Sequence, residues 1–228
     1  IRVSSPFRIS SISWSVAYWI NSILKISYHP DGAKKMTELA IFPLKTVLLP
    51  GNKLPLKIFE PRYSDMIAHC MREDKPFGIV LIYHGEETDT NSEIFTIGTS
   101  ATVTDWQNRD DGLLGITATG QSRFQIKSST ADHSGLLIAD IEYLDEHIEQ
   151  EIPDQFYYMR ELLRHISTHK SEDFDNLDFN TTVYQLIYLL PLENPLKQQL
   201  LEVSSCLDRA IVLHAELIRL GVIQYIKP

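Results

Sequence analysis

His165 and His169 stand four residues apart. On a helix that spacing puts both imidazoles on one face, where they could hold a metal ion. The residues between them lack the glutamate of a zinc-protease motif, and no third ligand is evident. A solvated helix end, where the dipole favours cations, is the simpler reading. Asp173, Asp175 and Asp178 suggest a calcium loop, but the glycine and terminal glutamate of such a loop are missing. A solvated acidic loop is expected there. His214 falls on an apolar helical face and reads as a histidine satisfied within the core. Nothing around Ser64 or Ser122 marks either as a nucleophile. Cys70 and Cys206 each lie in an apolar helical pattern and read as reduced core cysteines. With no C-x-x-C pair, neither a disulfide framework nor a zinc site is expected. The chain offers no coherent catalytic set, and no cofactor or metal is expected.

Binding is the chemistry that remains. A groove for polypeptide segments needs an apolar floor and a polar rim. Phe59, Tyr63, Phe77 and Phe124 are the candidates for the floor. Glu60, Arg62 and Arg123 are the candidates for the rim. For each, the competing reading is core packing or a structural ion pair.

The elements that would position them begin at Ile41. Phe42, Leu44, Val47, Leu48 and Leu49 form one apolar run, and Leu54, Leu56, Ile58 and Phe59 a second. Alternation at period two predicts half-buried strands. Pro50-Gly51-Asn52 predicts a turn. Pro43 and Pro55 cannot donate to a ladder and belong at strand edges or starts. Pro61 suits the first position of a helix, with Tyr63, Met66, Ile67, Cys70 and Met71 as its stripe. Glu60 lies at the positive end of that helix, where a carboxylate can cap.

Beyond Lys75 the chain reads as short strands. Residues 77–83 are almost continuously apolar, as in a strand covered on both faces. Residues 94–106 alternate, and 107–112 form a turn cluster. Residues 113–119 and 123–127 are predicted to pair as a hairpin about Gly120, and 136–144 to form the last strand. From Pro153-Asp154 the pattern turns helical. One stripe is Phe156, Met159, Leu162, Leu163 and Ile166. A polar loop over 170–180 leads to a second, Val183, Leu186, Ile187 and Leu190, stopped at Pro191. Asn194-Pro195 opens a third helix, and a fourth runs from Val203 to Gly221.

The opening IFPLKTVLLPGNKLPLKIFEPRY resembles the start of the Lon protease N-terminal domain. Further pieces come in the family's order: KPFGIVLI at 75, IGT at 97, DG at 111 with GQSRF at 120, and LLPL at 189 with KQQLLE at 197. The resemblance covers Met36 to about Leu220 and extends to the Lon-like part of cereblon. It implies an α+β fold: an N-terminal PUA-like β-barrel with one helix over 36–147, then a C-terminal α-helical bundle over 148–228. It implies a non-catalytic, cytoplasmic domain whose ligands are unfolded or tagged protein segments, with a protease or chaperone as a further partner. The groove is then expected at the junction of barrel and helices. No G-x-x-x-x-G-K-[ST] occurs and no Ser–Lys peptidase set is evident, so neither ATPase nor peptidase chemistry is expected. The rival readings are a small-molecule-binding regulatory protein, and an accessory subunit of a separate ATP-dependent protease.

Charge trims these options. The chain carries −9, yet residues 1–35 hold Arg2, Arg8, Lys25, Lys34 and Lys35 against Asp31 alone. The chain from Met36 onward is therefore more acidic than the whole. Such a body repels phosphate backbones, which argues against the RNA binding of many PUA domains. Residues 1–35 themselves are Ser-rich and hold Trp14 and Trp19. The uncharged stretch between Arg8 and Lys25 is too short and too polar for a spanning helix. A transit peptide fits their arginines better than a cleaved signal peptide. A further expectation is that 1–35 is translated upstream sequence and the natural bacterial protein starts at Met36. Gly32-Ala33 permits a ribosome-binding signal in the codons just before it.

Overall fold

The computed structural model describes residues 36–87, 92–108, 112–145, 151–167 and 174–223. All lie in one compact unit, Ala33–Pro228. The readings of residues 1–35, His169 and Asp173 fall outside the described residues. The architecture is mostly sheet with a few helices. The strands are β1 (Thr37–Leu44), β2 (Lys53–Ile58), β3 (Phe77–His84), β4 (Glu93–Ile94), β5 (Ile97–Asn108), β6 (Leu114–Ala131) and β7 (Leu137–Tyr143). Helix α1 (Pro61–Glu73) sits between β2 and β3. After the sheet come α2 (Tyr157–Ile166), α3 (Phe179–Leu189), α4 (Asn194–Glu202) and α5 (Cys206–Arg219). None of the described helices is long and apolar enough to cross a membrane.

Pairing runs β1–β7–β6–β5–β3, and β3 pairs again with β1, in parallel. β4 extends β3, and β2 lies off this path against β6. The prolines obey the ladder rule. Pro43 falls where β1 has left β7 and pairs only with β3. Pro55 falls on β2, which among the described residues pairs with β6 alone.

The predicted hairpin about Gly120 is not there. β6 is one strand running through that glycine. A side-chain carbon at Gly120 would come within 2.4 Å of the Leu49 carbonyl oxygen. The turn before β2 docks at this point. Gly51 N–H donates to Gly120 O, and Gly120 N–H donates to Asn52 O, each at 2.9 Å. Gly51 takes φ +75°, as the turn signal required. Gly120 thus marks close backbone approach instead of a reversal.

The alternating run 94–106 is also interrupted, because Phe95 and Thr96 separate β4 from β5. Phe95 turns toward the helices, packing at the edge of their core cluster and edge-on to Tyr83. Met71, expected on the buried stripe of α1, is exposed, whereas Tyr63, Met66, Ile67 and Cys70 are buried. Asp178 caps α3 by accepting from Thr181 N–H at 2.8 Å, so that helix begins at Phe179, inside the loop predicted for 170–180. Val203, placed in the fourth helix by its pattern, belongs to the link before α5.

Among the described residues the core forms three clusters. One joins α1 to the sheet through Phe42, Leu44, Ile58, Tyr63 and Ile67. A second holds Leu39, Ile41, Val80, Phe124, Ala139 and Ile141. The largest gathers the helices after β7 and also takes Val47, Leu49 and Leu81, so it spans the boundary drawn at 147. β3 feeds all three: Phe77 and Ile79 the first, Val80 the second, Leu81 the third. Its continuous apolar run has that cause.

Candidate functional site

A cleft of about 330 Å³ runs beside β2. Its walls come from the end of β1 (Phe42, Leu44), the whole second half of β2 with Phe59, and the first turn of α1. Alternation builds it. Along β2, Leu54, Leu56 and Ile58 turn inward, while Lys53, Pro55 and Lys57 are exposed. Tyr63 stacks on Phe42 with ring centroids 4.0 Å apart. Phe59 stands 55% exposed at the wall. Glu60 and Glu87 are the two carboxylates of the lining. The arrangement offers apolar surface, one exposed aromatic ring and two acids; it has no nucleophile and base in contact.

Glu60 occupies the N-cap position of α1 but makes no side-chain cap. Its carboxylate accepts instead from Arg62 Nε at 3.0 Å and lies 2.8 Å from Nη2. Arg62 Nη1 donates to Gly135 O at 2.8 Å, fastening the helix start to the turn before β7. The guanidinium also lies over the Tyr63 ring, 4.7 Å from its centroid. Burial pushes the Tyr63 hydroxyl up to about 12; Arg62 opposes this, and Glu60 and Glu87 add to it. Tyr63 therefore stays a neutral phenol across physiological pH.

The structure brings Phe59, Glu60 and Tyr63 together in the lining of this cleft, while Arg62, expected on the rim, lies behind it, bonded to Glu60 and Gly135 O. It does not bring the other three there. Phe77, Arg123 and Phe124 have no exposed surface. The expected place of Arg123 on a rim is corrected by its bonds: Nη1 donates to Leu201 O at 2.8 Å and to Val203 O at 3.0 Å. Arg209 meets it from α5, with Nη2 donating to Val203 O at 2.6 Å and Nε to Leu200 O at 2.9 Å. Two buried guanidiniums thus hold the negative end of α4. Phe77 and Phe124 are core rings of the first two clusters. Sequence reasoning missed Phe42, Leu44, Leu54, Leu56 and Glu87 as lining. The half-buried alternation of β2 is the available signal for two of these.

His214, His165 and Asp175 each have a partner. His214 Nδ1 meets the Tyr158 hydroxyl at 2.6 Å, linking α5 to α2. His165 Nδ1 reaches Glu161 O at 2.7 Å within its own helix. Asp175 pairs with Arg164 at 2.6 Å. Among the described residues no group of three or more His, Cys, Asp or Glu could hold a metal ion.

One acid carries a pH prediction. Burial raises the Glu202 carboxyl above its ordinary 4.5, against the hydrogen bond from Gln198 Nε2 at 2.9 Å. A carboxyl raised on folding stabilises the fold fully below its unfolded value. That contribution is lost as pH rises through the folded value. Glu202→Gln should therefore melt above the parent near neutral pH. The gap should close on acidification to about pH 4. Thermal melts across that range check it; a gap independent of pH would refute the assignment.

The sheet with its few helices, and the apolar cleft beside β2, define a domain of the Lon N-terminal fold. The family model of the ATP-dependent protease La (LON) substrate-binding domain matches residues 38–219, and the chain belongs to that family. Lon protease 1 of Hydrogenovibrio crunogenus is 25% identical over 191 residues, covering 78% of this chain and 23% of that protein. Protein cereblon of Danio rerio is 26% identical over 139 residues, covering 59% of this chain and 31% of that protein. The chain thus spans less than a third of either relative. The crystal structure of a Lon N-terminal domain protein from Xanthomonas campestris matches with TM-score 0.67 at 26% identity, covering 78% of this chain and 98% of that one. The N-terminal domain of Mycobacterium avium complex Lon protease shares the fold, with TM-score 0.60 at 17% identity over 78% of this chain and 97% of its own.

Proposed function

We propose that this chain binds extended segments of unfolded or tagged proteins in the cleft beside β2, and performs no chemistry on them. The observation that carries the reading is the cleft itself: an apolar floor along a strand edge, with Phe59 exposed at its wall. An exposed aromatic beside an apolar groove is the usual anchor of a peptide interface. The family's description as a substrate-binding domain supports it. In this reading the cyclic pairing of β1, β7, β6, β5 and β3 is a small PUA-like barrel, and α2–α5 are a helical bundle stacked beside it. The corresponding role is in cytoplasmic protein quality control, delivering segments to a separate ATP-dependent protease or chaperone.

Phe59→Ser tests the reading without touching the core. It should weaken binding of an unfolded casein-like polypeptide by about tenfold or more and leave the melting temperature unchanged. No binding by the parent protein at tens of micromolar would remove the proposal. A second reading is a small-molecule-binding regulatory protein. The cleft, at about 330 Å³, lies within the size range of ligand pockets. Melting shifts across a metabolite panel, abolished by Phe59→Ser, would favour it.

A further inference from the structure

One of the two acids lining the cleft, Glu87, has no side-chain cation paired with it among the described residues. Glu87 Oε1 accepts from the Lys45 backbone N–H at 2.7 Å, while the Lys45 ammonium goes to Glu86 at 2.5 Å. Glu60 is paired, but the pair is lopsided. The Arg62 side chain is only 8% exposed, held down over Tyr63 and onto Gly135 O; that of Glu60 is 21% exposed. The carboxylate is the face of that pair that meets the cleft. Lys57, the one lysine of the lining, leaves β2 on the exposed side, opposite Leu56. Apolar floor and negative rim therefore coincide.

We propose that the cleft selects segments in which an apolar side chain is followed closely by lysine or arginine. This rests on the peptide-binding reading and adds its specificity. The apolar side chain takes the floor beside Tyr63, and the cation reaches Glu87 and the open side of Glu60. Charge across a partly wet rim discriminates by modest factors and suppresses the wrong sign.

The test uses the full chain and three fluorescein-labelled unstructured peptides, identical except that lysine, glutamine or glutamate comes directly after a phenylalanine. At low salt the lysine peptide should bind about three- to fivefold tighter than the glutamine peptide, with the glutamate peptide weakest. High salt should compress that ratio. Glu87→Gln should remove most of it, whereas Glu73→Gln, on the far end of α1, should leave it intact. Equal affinities for the three peptides, all weakened by Phe59→Ser, would overturn the charge selection and leave the cleft reading standing. Failure of every peptide to bind would overturn both.

Discussion

Arg123→Met should lower the unfolding free energy by about 3 kcal/mol while leaving peptide affinity per folded molecule unchanged. Methionine fills much of the arginine's volume but donates nothing. Two carbonyls take short bonds from Arg123, those of Leu201 and Val203, and a third, Ser204 O, lies 3.4 Å from Nη2. Val203 O keeps its bond from Arg209. Leu201 O loses its donor in a place closed to water, and each buried orphan costs roughly 1–3 kcal/mol. Arg123→Lys should recover only part of the loss, because one ammonium cannot span the carbonyls of Leu201, Val203 and Ser204 as a planar fork does. Urea unfolding measures both variants. A cost below about 1 kcal/mol for methionine would mean that Arg209 alone secures α4.

Phe124→Ala should cost more, about 3–5 kcal/mol, through a cavity the strands cannot close. The ring is fully buried among Leu39, Ile41, Val80, Ala139 and Ile141. Two glycines make room for it. A side-chain carbon at Gly78 would lie 2.7 Å from Phe124 Cζ, and one at Gly98 would lie 3.0 Å from it. The two sites differ in what else they meet. The three nearest atoms to a carbon at Gly78 belong to side chains, of Ile41, Phe124 and Leu39. Gly98 also faces the Ile79 carbonyl at 2.4 Å, which cannot yield. Gly78→Ala combined with Phe124→Ala should therefore be less damaging than the two costs added, because the new methyl enters the vacated space. Gly98→Ala should gain no such relief. Thermal or urea melts of the three single variants and the two doubles with Phe124→Ala separate these cases; strict additivity at Gly78 would contradict the packing described.

The same contrast explains what is legible in the chain. Turn and helix starts can be read where one residue's chemistry suffices: Pro50-Gly51-Asn52, Pro61, Asn194-Pro195 and, Met71 apart, the buried face of α1 stand where their types require. Gly120 misleads because a glycine kept for close approach has the same letter as one kept for a turn. The difference is the Leu49 carbonyl, seventy-one positions earlier in the chain. The site divides along the same line. Phe59, Glu60 and Tyr63 are neighbours in sequence and lie together at the cleft, with Arg62 behind them on Glu60. Arg123 reads as a surface charge because lone arginines are rarely fully buried. Its reason for being inside is a helix end about eighty residues later, and no local pattern signals that.

β3 ties the proposed cleft to the rest of the core. Its consecutive residues are shared among three separately packed interiors, and close-packed interiors transmit displacement without absorbing it. A segment that wedges Tyr63 and Phe42 apart presses on the cluster containing Ile79. The neighbours Val80 and Leu81 carry the push into the other two. Under the proposed binding the strand would act as a common shaft, and occupancy of the cleft would register as strain among the helices on the opposite bearing.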